Sequence, residues 1–444
     1  MTERYVNIDR QTAMLLPPDM REWVKEDDLV HFILEAVEGS DLSGAVERTH
    51  GGGSKQYPPA MMMALLIYSY AHGIFGSRQI ERASHYHIGV RYICANEHPD
   101  HDTICTFRRV NRELVKAVFT HVLEVAGTMK LLQVGTICVD GTKILANAAT
   151  RRSLNTERMD QLEAELGKQI EELLVKAEKA DAAAHQEGGH LPKELASRQR
   201  LRDQISAARE MLAEQVKERA AEREKDRKQW EANPIGDPPR KLNGKVKAKD
   251  RINLTDPESV VMPHVKGGYA PSYNAQIGVS GQNHALIVAT EVSQQANDRQ
   301  QVEGMAVKVK EAVLEVKSIV VDSGYDHARQ IEQTEGRLGV EIYCPPQKAK
   351  DPAAKEPKKK HRYHEARVRS REIRAKMREK ADSVEGRKLL HVRRTTAEPV
   401  FGMVKSVLGF RQFRLRGLEK VRIEWQLVAL AFNCRRIAGQ LGKN

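Results

Sequence analysis

Ile137-Cys138-Val139-Asp140 is a short apolar run that ends in a carboxylate, and Ile319-Val320-Val321-Asp322 repeats this arrangement later in the chain. Runs of this kind are typical of central strands that are buried on both faces of a sheet. An aspartate at the end of such a strand lies where the sheet meets solvent, which is a natural place for a metal ligand. Each aspartate also has an ordinary interpretation, because Asp140-Gly141 suits a two-residue hairpin turn and Asp322-Ser323-Gly324 suits a loop before a helix.

A third carboxylate, Glu398, lies in the stretch Arg394-Thr-Thr-Ala-Glu-Pro-Val-Phe-Gly-Met-Val-Lys405. On a helix with about 100° per residue, this glutamate shares one stripe, about 60° wide, with His391, Arg394 and Lys405. A carboxylate flanked by two cations suits phosphate chemistry, because the carboxylate can hold a divalent metal while Arg and Lys bind phosphate oxygens. The alternative is a solvated, salt-bridged helix face. Pro399 favours a first helical turn, and a helix that begins there would present Arg394 from the segment before it.

The composition of the chain narrows the class of protein. Its 444 residues are enough for two or three domains with real cores. It carries 72 Lys and Arg against 60 Asp and Glu, a formal charge of +12, and such an excess favours polyanionic partners. The five cysteines form no Cys-x-x-Cys pair, which indicates a reducing cytosol rather than a disulfide scaffold. No apolar run is long enough to cross a membrane and the first residues show no signal peptide, so we expect a cytoplasmic protein.

Further strands and helices are predicted around the two aspartate-terminated runs. Residues 272–279 and 285–292 alternate like the two strands of a hairpin. Residues 300–316 and 326–334 have helical patterns, and residues 340–344 form one more short strand. Strands mixed with helices in this way predict an α/β fold with a mixed sheet flanked by helices.

A long insertion interrupts the strand pattern. Within residues 155–230, two apolar patterns at helical spacing predict an antiparallel helical hairpin that packs like a coiled coil. This hairpin could bind DNA, bind a second protomer or decorate the surface. Residues 233–251 are rich in Pro, Gly and Lys and are predicted to be a linker. The insertion and its linker together span residues 151–250.

A strongly basic segment follows the last predicted strand. Residues 348–380 hold 14 Lys or Arg against 5 Asp or Glu, with Lys358, Lys359 and Lys360 in the densest part. Like charges this close repel each other, and phosphate would neutralise them. The second half of the segment has a helical pattern. Because the segment leads directly to Glu398, its position favours a nucleic acid as its partner.

The first 135 residues are predicted to form a helical domain. The helices expected there cover residues 20–38, 60–70, 78–83 and 103–127, the last capped by Asp102 or Thr103. Short helices joined by Gly-containing turns, with arginines in their first turns, resemble helix-turn-helix construction. We expect DNA contacts from the arginines near these helix starts, which are Arg78, Arg108, Arg109 and Arg112. The alternative is a helical bundle with an ordinary charged surface.

A zinc site is a further hypothesis, for the group Cys94, His98, His101 and Cys105. Their spacing is tighter than in structural zinc sites, which usually pair ligands across longer loops, and Pro99 interrupts it. Buried cysteines and capping histidines are the favoured alternative.

The three carboxylates and their surroundings resemble bacterial insertion-sequence transposases of the DDE class. The matching stretches are Val139-Asp140-Gly-Thr-Lys-Ile-Leu-Ala-Asn-Ala148, Gly267-Gly-Tyr-Ala-Pro-Ser-Tyr-Asn-Ala-Gln276, Val321-Asp322-Ser-Gly-Tyr-Asp326 and Glu398-Pro-Val-Phe-Gly-Met-Val-Lys405, with Gly409-Phe-Arg-Gln-Phe-Arg-Leu-Arg-Gly417 beyond. The stretches Tyr57-Pro-Pro59, Gly76-Ser-Arg-Gln-Ile-Glu-Arg82 and Pro99-Asp-His-Asp-Thr-Ile-Cys-Thr-Phe-Arg108 look like the helical head of the same family. The resemblance therefore covers nearly the whole chain.

This resemblance implies an RNase H-like catalytic domain over residues 136–440, interrupted by the helical hairpin and preceded by an all-α DNA-binding domain. It implies that Asp140, Asp322 and Glu398 are catalytic and hold two Mg²⁺ ions, for which Mn²⁺ could substitute. The carboxylates agree with this in their chemistry, because acids so close together would resist ionising unless divalent cations neutralised them.

The family's Tyr-x2-Arg-x3-Glu-x6-Lys signature maps onto the helical stripe around Glu398. Arg394 and Lys405 match its two basic positions, and His391 stands where the family has Tyr. The resemblance implies that these basic residues bind DNA phosphates beside the metal ions. Histidine at the first position can still donate to a phosphate or stack on a base.

The resemblance implies a transposase that binds the terminal inverted repeats of an insertion sequence, cleaves the DNA and transfers the 3′ ends to target DNA. Its partners would be double-stranded DNA, as element ends and target, and further copies of the chain in a homodimer or higher oligomer on DNA, with no membrane. It would act in the cytoplasm, associated with the bacterial nucleoid when bound. Two alternatives remain open: a metal-dependent nuclease of the same fold, and a non-catalytic DNA-binding protein derived from a transposase.

Overall fold

The computed structural model describes residues 19–46, 56–132, 135–182, 191–264, 267–281, 284–313, 315–347 and 362–441. The strands are β1 (Thr136–Leu145), β2 (Ser153–Asn155), β3 (Arg251–Asn253), β4 (Val260–Pro263), β5 (Tyr269–Ser280), β6 (Ile287–Ser293), β7 (Ser318–Val320) and β8 (Glu341–Tyr343). The helices are α1 (Leu29–Glu38), α2 (Pro59–Ala71), α3 (Ser77–Tyr86), α4 (Ile88–Ile93), α5 (His101–Val110), α6 (Arg112–Thr128), α7 (Thr156–Ala182), α8 (Leu191–Ala232), α9 (Val302–Ala312), α10 (Ala328–Leu338), α11 (His364–Asp382), α12 (Val384–Gly402) and α13 (Leu418–Leu441). Among these residues no helix is both long enough and apolar enough to span a membrane.

The main sheet is mixed, in the order β4-β5-β1-β7-β8, and β6 pairs with residues 274–279 of β5, on the edge away from β1 and beyond the residues that pair with β4. Strand β1 is antiparallel to β5 and parallel to β7, and β7 is parallel to β8. Helices α9, α12 and α13 pack on the strands, and α10 and α11 continue the helical layer. The predicted α/β class, a mixed sheet flanked by helices, is confirmed, and the arrangement is consistent with an RNase H-like domain.

Strand β1 does not turn at Asp140-Gly141, so the hairpin-turn interpretation of that pair is wrong. The strand continues to Leu145 because β5 pairs with it over its whole length, with Asp140 opposite Ile277 and Gly141 opposite Gln276. A Cβ atom on Gly141 would collide with the side-chain amide of Gln276. Glycine therefore leaves room beside β1 for the side chains of Gln276 and Asp298, rather than allowing a reversal of the chain.

The helical head differs from its predicted boundaries where polar caps decide the helix starts. Helix α1 begins only at Leu29, because the Asp28 side chain accepts the backbone N–H of Val30 and ends the preceding loop. The segment predicted as one helix over 103–127 is two, α5 and α6, separated at Asn111. The cap of α5 is Asp100, whose carboxylate accepts the backbone N–H groups of both predicted caps, Asp102 and Thr103. Helix α4 was not predicted.

The head packs directly on α13, the last helix of the sheet domain, and one buried polar network joins them. Arg108 is 3% exposed and Glu424 on α13 is fully buried. The Arg108 guanidinium donates to the hydroxyl of Tyr70 at 2.7 Å and to the carbonyl of Phe75 at 2.7 Å, and the Tyr70 hydroxyl donates to Glu424 at 2.8 Å. The second oxygen of Glu424 accepts the backbone N–H groups of Arg414 and Leu415. The head and the sheet domain consequently share one hydrophobic core.

The insertion forms a helical hairpin of α7 and α8, as predicted for residues 155–230. It has a small apolar core of its own, separate from the main one, to which Met159, Ile205 and Leu212 contribute. Arg209 on α8 binds Asp160 and Glu163 on α7, at 2.7 and 2.8 Å. The hairpin is therefore held by its own contacts and joins the sheet domain through short strands β2 and β3.

We expect the buried Arg108–Glu424 pair to dominate the docking of the head. Glu424→Ala would leave a buried guanidinium without its counter-charge, which typically costs about 3–5 kcal/mol. Glu419→Ala provides the control, because Glu419 is 80% exposed and lies 3.8 Å from Arg112, where an exposed pair contributes at most about 1 kcal/mol. Urea unfolding of both variants measures the difference, and similar small losses of stability would contradict this role for Glu424.

Candidate active site

The two aspartates predicted at strand ends lie beside each other in the sheet. Asp140 lies within β1 and not at its end as predicted, and Asp322 lies two residues after the end of the neighbouring parallel strand β7. The Asp322 carboxylate accepts the backbone N–H of Gly324 at 2.8 Å, which caps a short 3-10 turn over Ser323–Tyr325. Glu398 lies on α12, which packs across β1. Two neighbouring interior strands of the sheet thus position two carboxylates, and the helix above them carries the third.

Arg393, which the sequence analysis did not select, connects these carboxylates. Its guanidinium donates to Asp140 Oδ2 at 2.9 Å through Nη1 and to Glu398 Oε1 at 3.0 Å through Nη2. The Arg393 side chain is only 11% exposed, whereas that of Glu398 is 54% exposed. Arg393 faces the sheet. The buried residues Ala397 and Val400 lie on the same face of α12, one and two helical turns after Arg393. In the sequence, the apolar residues Ala397 and Val400 at helical spacing from Arg393 could have indicated that Arg393 points toward the sheet.

The predicted stripe of basic residues on α12 is divided by the structure. His391 and Arg394 are exposed on the solvent side of the helix. Lys405 lies beyond α12 in a π-helical turn, Met403–Val407, where its ammonium group donates to the Thr142 hydroxyl and to the Lys143 carbonyl on β1. Burial lowers the pKa of Lys405. The wider π turn changes the phase of the helix, so Lys405 reaches the sheet near Asp140 instead of continuing the outer stripe.

Pro399 does not start a helix, and the alternative that Arg394 precedes the helix is wrong. Helix α12 begins at Val384, where the Ser383 hydroxyl accepts the backbone N–H of Gly386. Pro399 lies inside it. Arg394 is therefore presented from the helix surface.

A fourth acid, Asp298, also belongs to the cluster and was not predicted. Its Oδ1 accepts hydrogen bonds from the side-chain amides of Asn274, at 2.7 Å, and Gln276, at 2.6 Å. Asn274 and Gln276 are two positions apart and therefore lie on the same face of β5, where they are 2% and 0% exposed. The buried Tyr325 hydroxyl donates to the other end of the Gln276 amide. Asp298 lies in a loop without strand or helix periodicity, so the sequence contained no pattern that pointed to it.

Burial and mutual repulsion make this cluster electrostatically unfavourable. The pKa of Asp140 is raised to about 6, chiefly by burial; the charge of Arg393 lowers it, and the charges of Asp322 and Asp298 add to the rise. Burial also raises the pKa of Asp322, to which the charges of Asp298 and Glu398 add. The cluster therefore holds more negative charge than Arg393 compensates, and it favours cations.

The chemistry of this donor set suits a hard divalent cation. All of its candidate ligand atoms are carboxylate oxygens, which Mg²⁺ prefers, and they range from the largely buried Asp140 to the exposed Glu398. Two of these oxygens, one on Asp140 and one on Glu398, are engaged by Arg393. Within the described part of the chain, no three acidic, histidine or cysteine side chains are placed closely enough to hold a metal ion. The residues thus fit a metal by type, with Arg393 bound to two of them.

The other predicted DNA-binding residues have different surroundings. Arg78, Arg109 and Arg112 are exposed on the head. Arg108 is buried in the network described above, so the expectation that it contacts DNA is not supported and its role is structural. Lys358, Lys359 and Lys360 lie outside the described residues.

The zinc hypothesis is replaced by ordinary contacts. Cys94 is buried in the apolar core of the head. The His98 ring stacks on His85, with centroids 3.9 Å apart, and His101 is hydrogen-bonded to Glu81 at 2.9 Å. Each histidine thus has a partner outside the proposed group, which agrees with the favoured alternative.

One face of helix α3 combines exposed cationic, amide and aromatic side chains. The exposed residues on this face are Arg78, Gln79, Arg82, His85 and Tyr86. The Arg82 guanidinium lies over the Tyr86 ring, 5.9 Å from its centroid, and Tyr86 is 81% exposed. Glu81 of the same helix is directed instead to His101. This face offers hydrogen-bond donors and a planar ring to solvent without a competing carboxylate from α3.

Comparison with protein families gives two matches. Residues 247–434 match the family described as Transposase DDE domain, and residues 18–110 match the family described as Transposase domain (DUF772). The first match contains Asp322 and Glu398, while Asp140 lies before it, on the other side of the insertion. No significant match was found to a curated protein or to a solved structure.

The raised pKa of Asp140 predicts a pH-dependent effect of Asp140→Asn on stability. Asp140 titrates at about 6 in the folded chain against an ordinary value of 3.8, so the folded state retains a proton that the unfolded state releases between these values. Ionisation therefore costs the folded wild type stability as the pH rises through this window, by up to about 3 kcal/mol. The variant, which cannot ionise, should gain stability relative to wild type by about that amount.

Urea unfolding in EDTA at pH 4, 6 and 8 measures this difference. Asp382→Asn, at an exposed position at the end of α11, is the control and should show a flat difference from wild type. A flat difference for Asp140→Asn as well would contradict the electrostatic description of the cluster.

Proposed function

The chain belongs to the DDE-class insertion-sequence transposases, and from this premise we propose that it binds the terminal inverted repeats of its element, cleaves the DNA and transfers the 3′ ends to target DNA. The observation that carries the proposal is the junction of β1, β7 and α12, where Arg393 binds both Asp140 and Glu398 and where the charge of Glu398 acts on Asp322. We propose that these three carboxylates are the catalytic residues.

The family generally uses divalent metals, and we propose that Asp140, Asp322 and Glu398 would hold two Mg²⁺ ions, with Mn²⁺ as a substitute. When bound, the ions would supply activation of the attacking hydroxyl and stabilisation of the leaving oxygen. Arg393 would release its two carboxylate oxygens when the metals replace its charge. Asp298 is kept in place by the amides of Asn274 and Gln276, so it can add negative charge without moving.

Other side chains of the chain would position DNA at this cluster. Lys405 lies close to β1, so its ammonium group can bind a phosphate beside the cluster. Arg394 and His391, on the outer side of α12, would contact phosphates further from the bond that is cut. Water as the nucleophile gives strand cleavage, and a 3′-hydroxyl as the nucleophile gives strand transfer at the same carboxylates.

We propose that the head recognises the element ends through the exposed face of α3, because arginine, amide and aromatic side chains can contact phosphates and base edges. Arg109 and Arg112 would add phosphate contacts. A homodimer or higher oligomer would assemble on double-stranded DNA, since two ends must be joined. The protein would act in the cytoplasm, associated with the bacterial nucleoid when bound.

We expect Asp140→Ala, Asp322→Ala and Glu398→Ala each to abolish cleavage of labelled element ends in Mg²⁺ while binding of the ends persists. The physical reason is that each substitution removes a ligand of the proposed metals without changing the head. Glu385→Ala, at an exposed position on the same helix as Glu398, is the matched control and should retain activity. Strong residual cleavage by any of the three variants would remove that residue from the site.

The same assay separates the proposed function from its alternatives. Products with 3′ ends joined to target DNA support transposition, whereas cleavage without joining indicates a metal-dependent nuclease. End binding with neither product indicates a non-catalytic DNA-binding protein.

We expect Arg78→Ala and Arg82→Ala to weaken binding of the element ends and to reduce its salt dependence. Each phosphate contact that is lost should reduce the slope of log K against log salt by about 0.9. The control is Lys116→Ala, at an exposed position on α6 of the same head. The full chain should be used, because the core of the head continues into α13. If both arginine variants keep the wild-type affinity and slope, α3 does not recognise the element ends.

A further inference from the structure

A second, strongly cationic feature lies outside the acid cluster. It is a cleft of about 480 Å³ between the segment that leaves helix α8 and the first turns of α11. Five arginines line it, which are Arg299, Arg329, Arg367, Arg371 and Arg374. Two aspartates also line it, Asp237 and Asp326, so the formal charge of its lining is positive.

The two walls of the cleft are fixed to each other. On one wall, Trp230 is 7% exposed and its indole N–H donates to the carbonyl of Ile235 at 3.2 Å. The backbone N–H of Gly236 then donates to the carbonyl of Ala366 on α11 at 2.7 Å. Arg367 forms a two-bond ion pair with Asp237 at 2.6 and 3.0 Å. The cleft is therefore a built junction between the insertion and the sheet domain.

Two of its arginines hydrogen-bond to neutral oxygens, although the charges of Asp226 and Glu303 also act on Arg329. Arg299 donates to the side-chain oxygen of Gln347 at 3.0 Å, and Arg329, which is 6% exposed, donates to the backbone carbonyl of Asp226 at 3.0 Å. Burial lowers the pKa of His327 in this cleft, and the charges of Arg329, Arg374 and Arg299 lower it further. The positive charge of these arginines therefore favours an anion in the cleft.

The cleft also begins where the acid cluster ends. Arg299 follows Asp298 directly in the chain. Arg374 binds Asp326 at 3.1 Å, and Asp326 closes the 3-10 turn that Asp322 caps. Two loops that carry cluster acids therefore continue into the floor of the cleft.

We propose that this cleft binds the phosphodiester backbone of one DNA strand that flanks the bond to be cut, an inference that rests on the proposed function. The planar guanidinium groups of Arg299 and Arg371 bind two phosphates as bidentate donors. With a volume of about 480 Å³, the cleft is of a size that holds a few nucleotides of one strand and not a duplex. The insertion thereby acquires a role in substrate binding, through the segment that leaves α8.

The test uses the full-length chain in EDTA and a fluorescein-labelled duplex with a single-stranded flank as the probe. Fluorescence anisotropy over a series of NaCl concentrations gives the slope of log K against log salt. The double variant Arg299→Gln/Arg371→Gln should bind more weakly and with a slope that is less steep by roughly 1.4, because single-strand contacts contribute about 0.7 each. Arg378→Gln, an exposed arginine on α11 that does not line the cleft, is the matched control and should keep the wild-type slope.

The outcomes separate the cleft from the proposed function. A wild-type slope in the double variant, or an equal loss in the control, overturns the cleft proposal. Calorimetry with sodium pyrophosphate tests whether the cleft is instead a site for a free anion. If wild type binds pyrophosphate and the double variant does not, while the DNA slope is unchanged, the proposal that the cleft binds DNA is overturned. An end-joining assay on the same wild-type preparation tests the proposed function. If no ends are joined, the proposed function fails, but the binding slopes measured in EDTA still test the cleft. Urea unfolding confirms that the double variant is folded, and Arg299→Lys/Arg371→Lys should restore the slope while regaining only part of the affinity.

Discussion

The contact between the Arg393 guanidinium and the carboxylates of Asp140 and Glu398 is the interaction on which this molecule depends most. A buried aspartate in the middle of a sheet would be repelled by the neighbouring acids, and the fold places a fixed cation on it from the helix above. The same contact ties α12 to β1, so the element that carries Glu398 is registered against the strand that carries Asp140. Structure and chemistry are therefore set by one side chain, because the cation that stabilises the folded chain also engages the oxygens that the proposed metals would need.

Much of the sheet could be predicted from the sequence, because its strands are apolar or alternating runs, a pattern that neighbouring residues alone reveal. The strands around Asp140 and Asp322, the hairpin of β5 and β6 and the two helices of the insertion all follow from such periodicity. The exception at Asp140-Gly141 is informative. The turn rule considers two residues, whereas the outcome is decided by β5, which pairs with β1 from more than a hundred residues away in the chain.

The remaining part of the site could not be predicted, for equally physical reasons. A helical stripe identifies which residues share a face but not which face is buried, and one position, about 100°, separates the exposed Arg394 from the buried Arg393. The π turn then adds a change of phase that no periodic rule contains, and it brings Lys405 back to the sheet. Asp298 depends on two amides of β5 that hold it in place, so its importance arises only when the strand and the loop are brought together. Arg108 shows the converse, since an arginine near a helix start was taken for a surface contact although Glu424, far along the chain, buries it.

The shared core of the head and α13 has a consequence for how such proteins can diversify. Phe75 of the head packs edge-on against Phe410 of the sheet domain, with ring centroids 5.1 Å apart, and a Cβ atom on Gly73 would meet the carbonyl oxygen of Leu408 at 2.8 Å. A head with a different end specificity could not be grafted by exchanging the N-terminal segment alone, because its inner surface is shaped to one particular receiving helix and loop. Under the proposed recognition of element ends by α3, a change of specificity would have to arise on the outer face of α3, or the head and α13 would have to be inherited together.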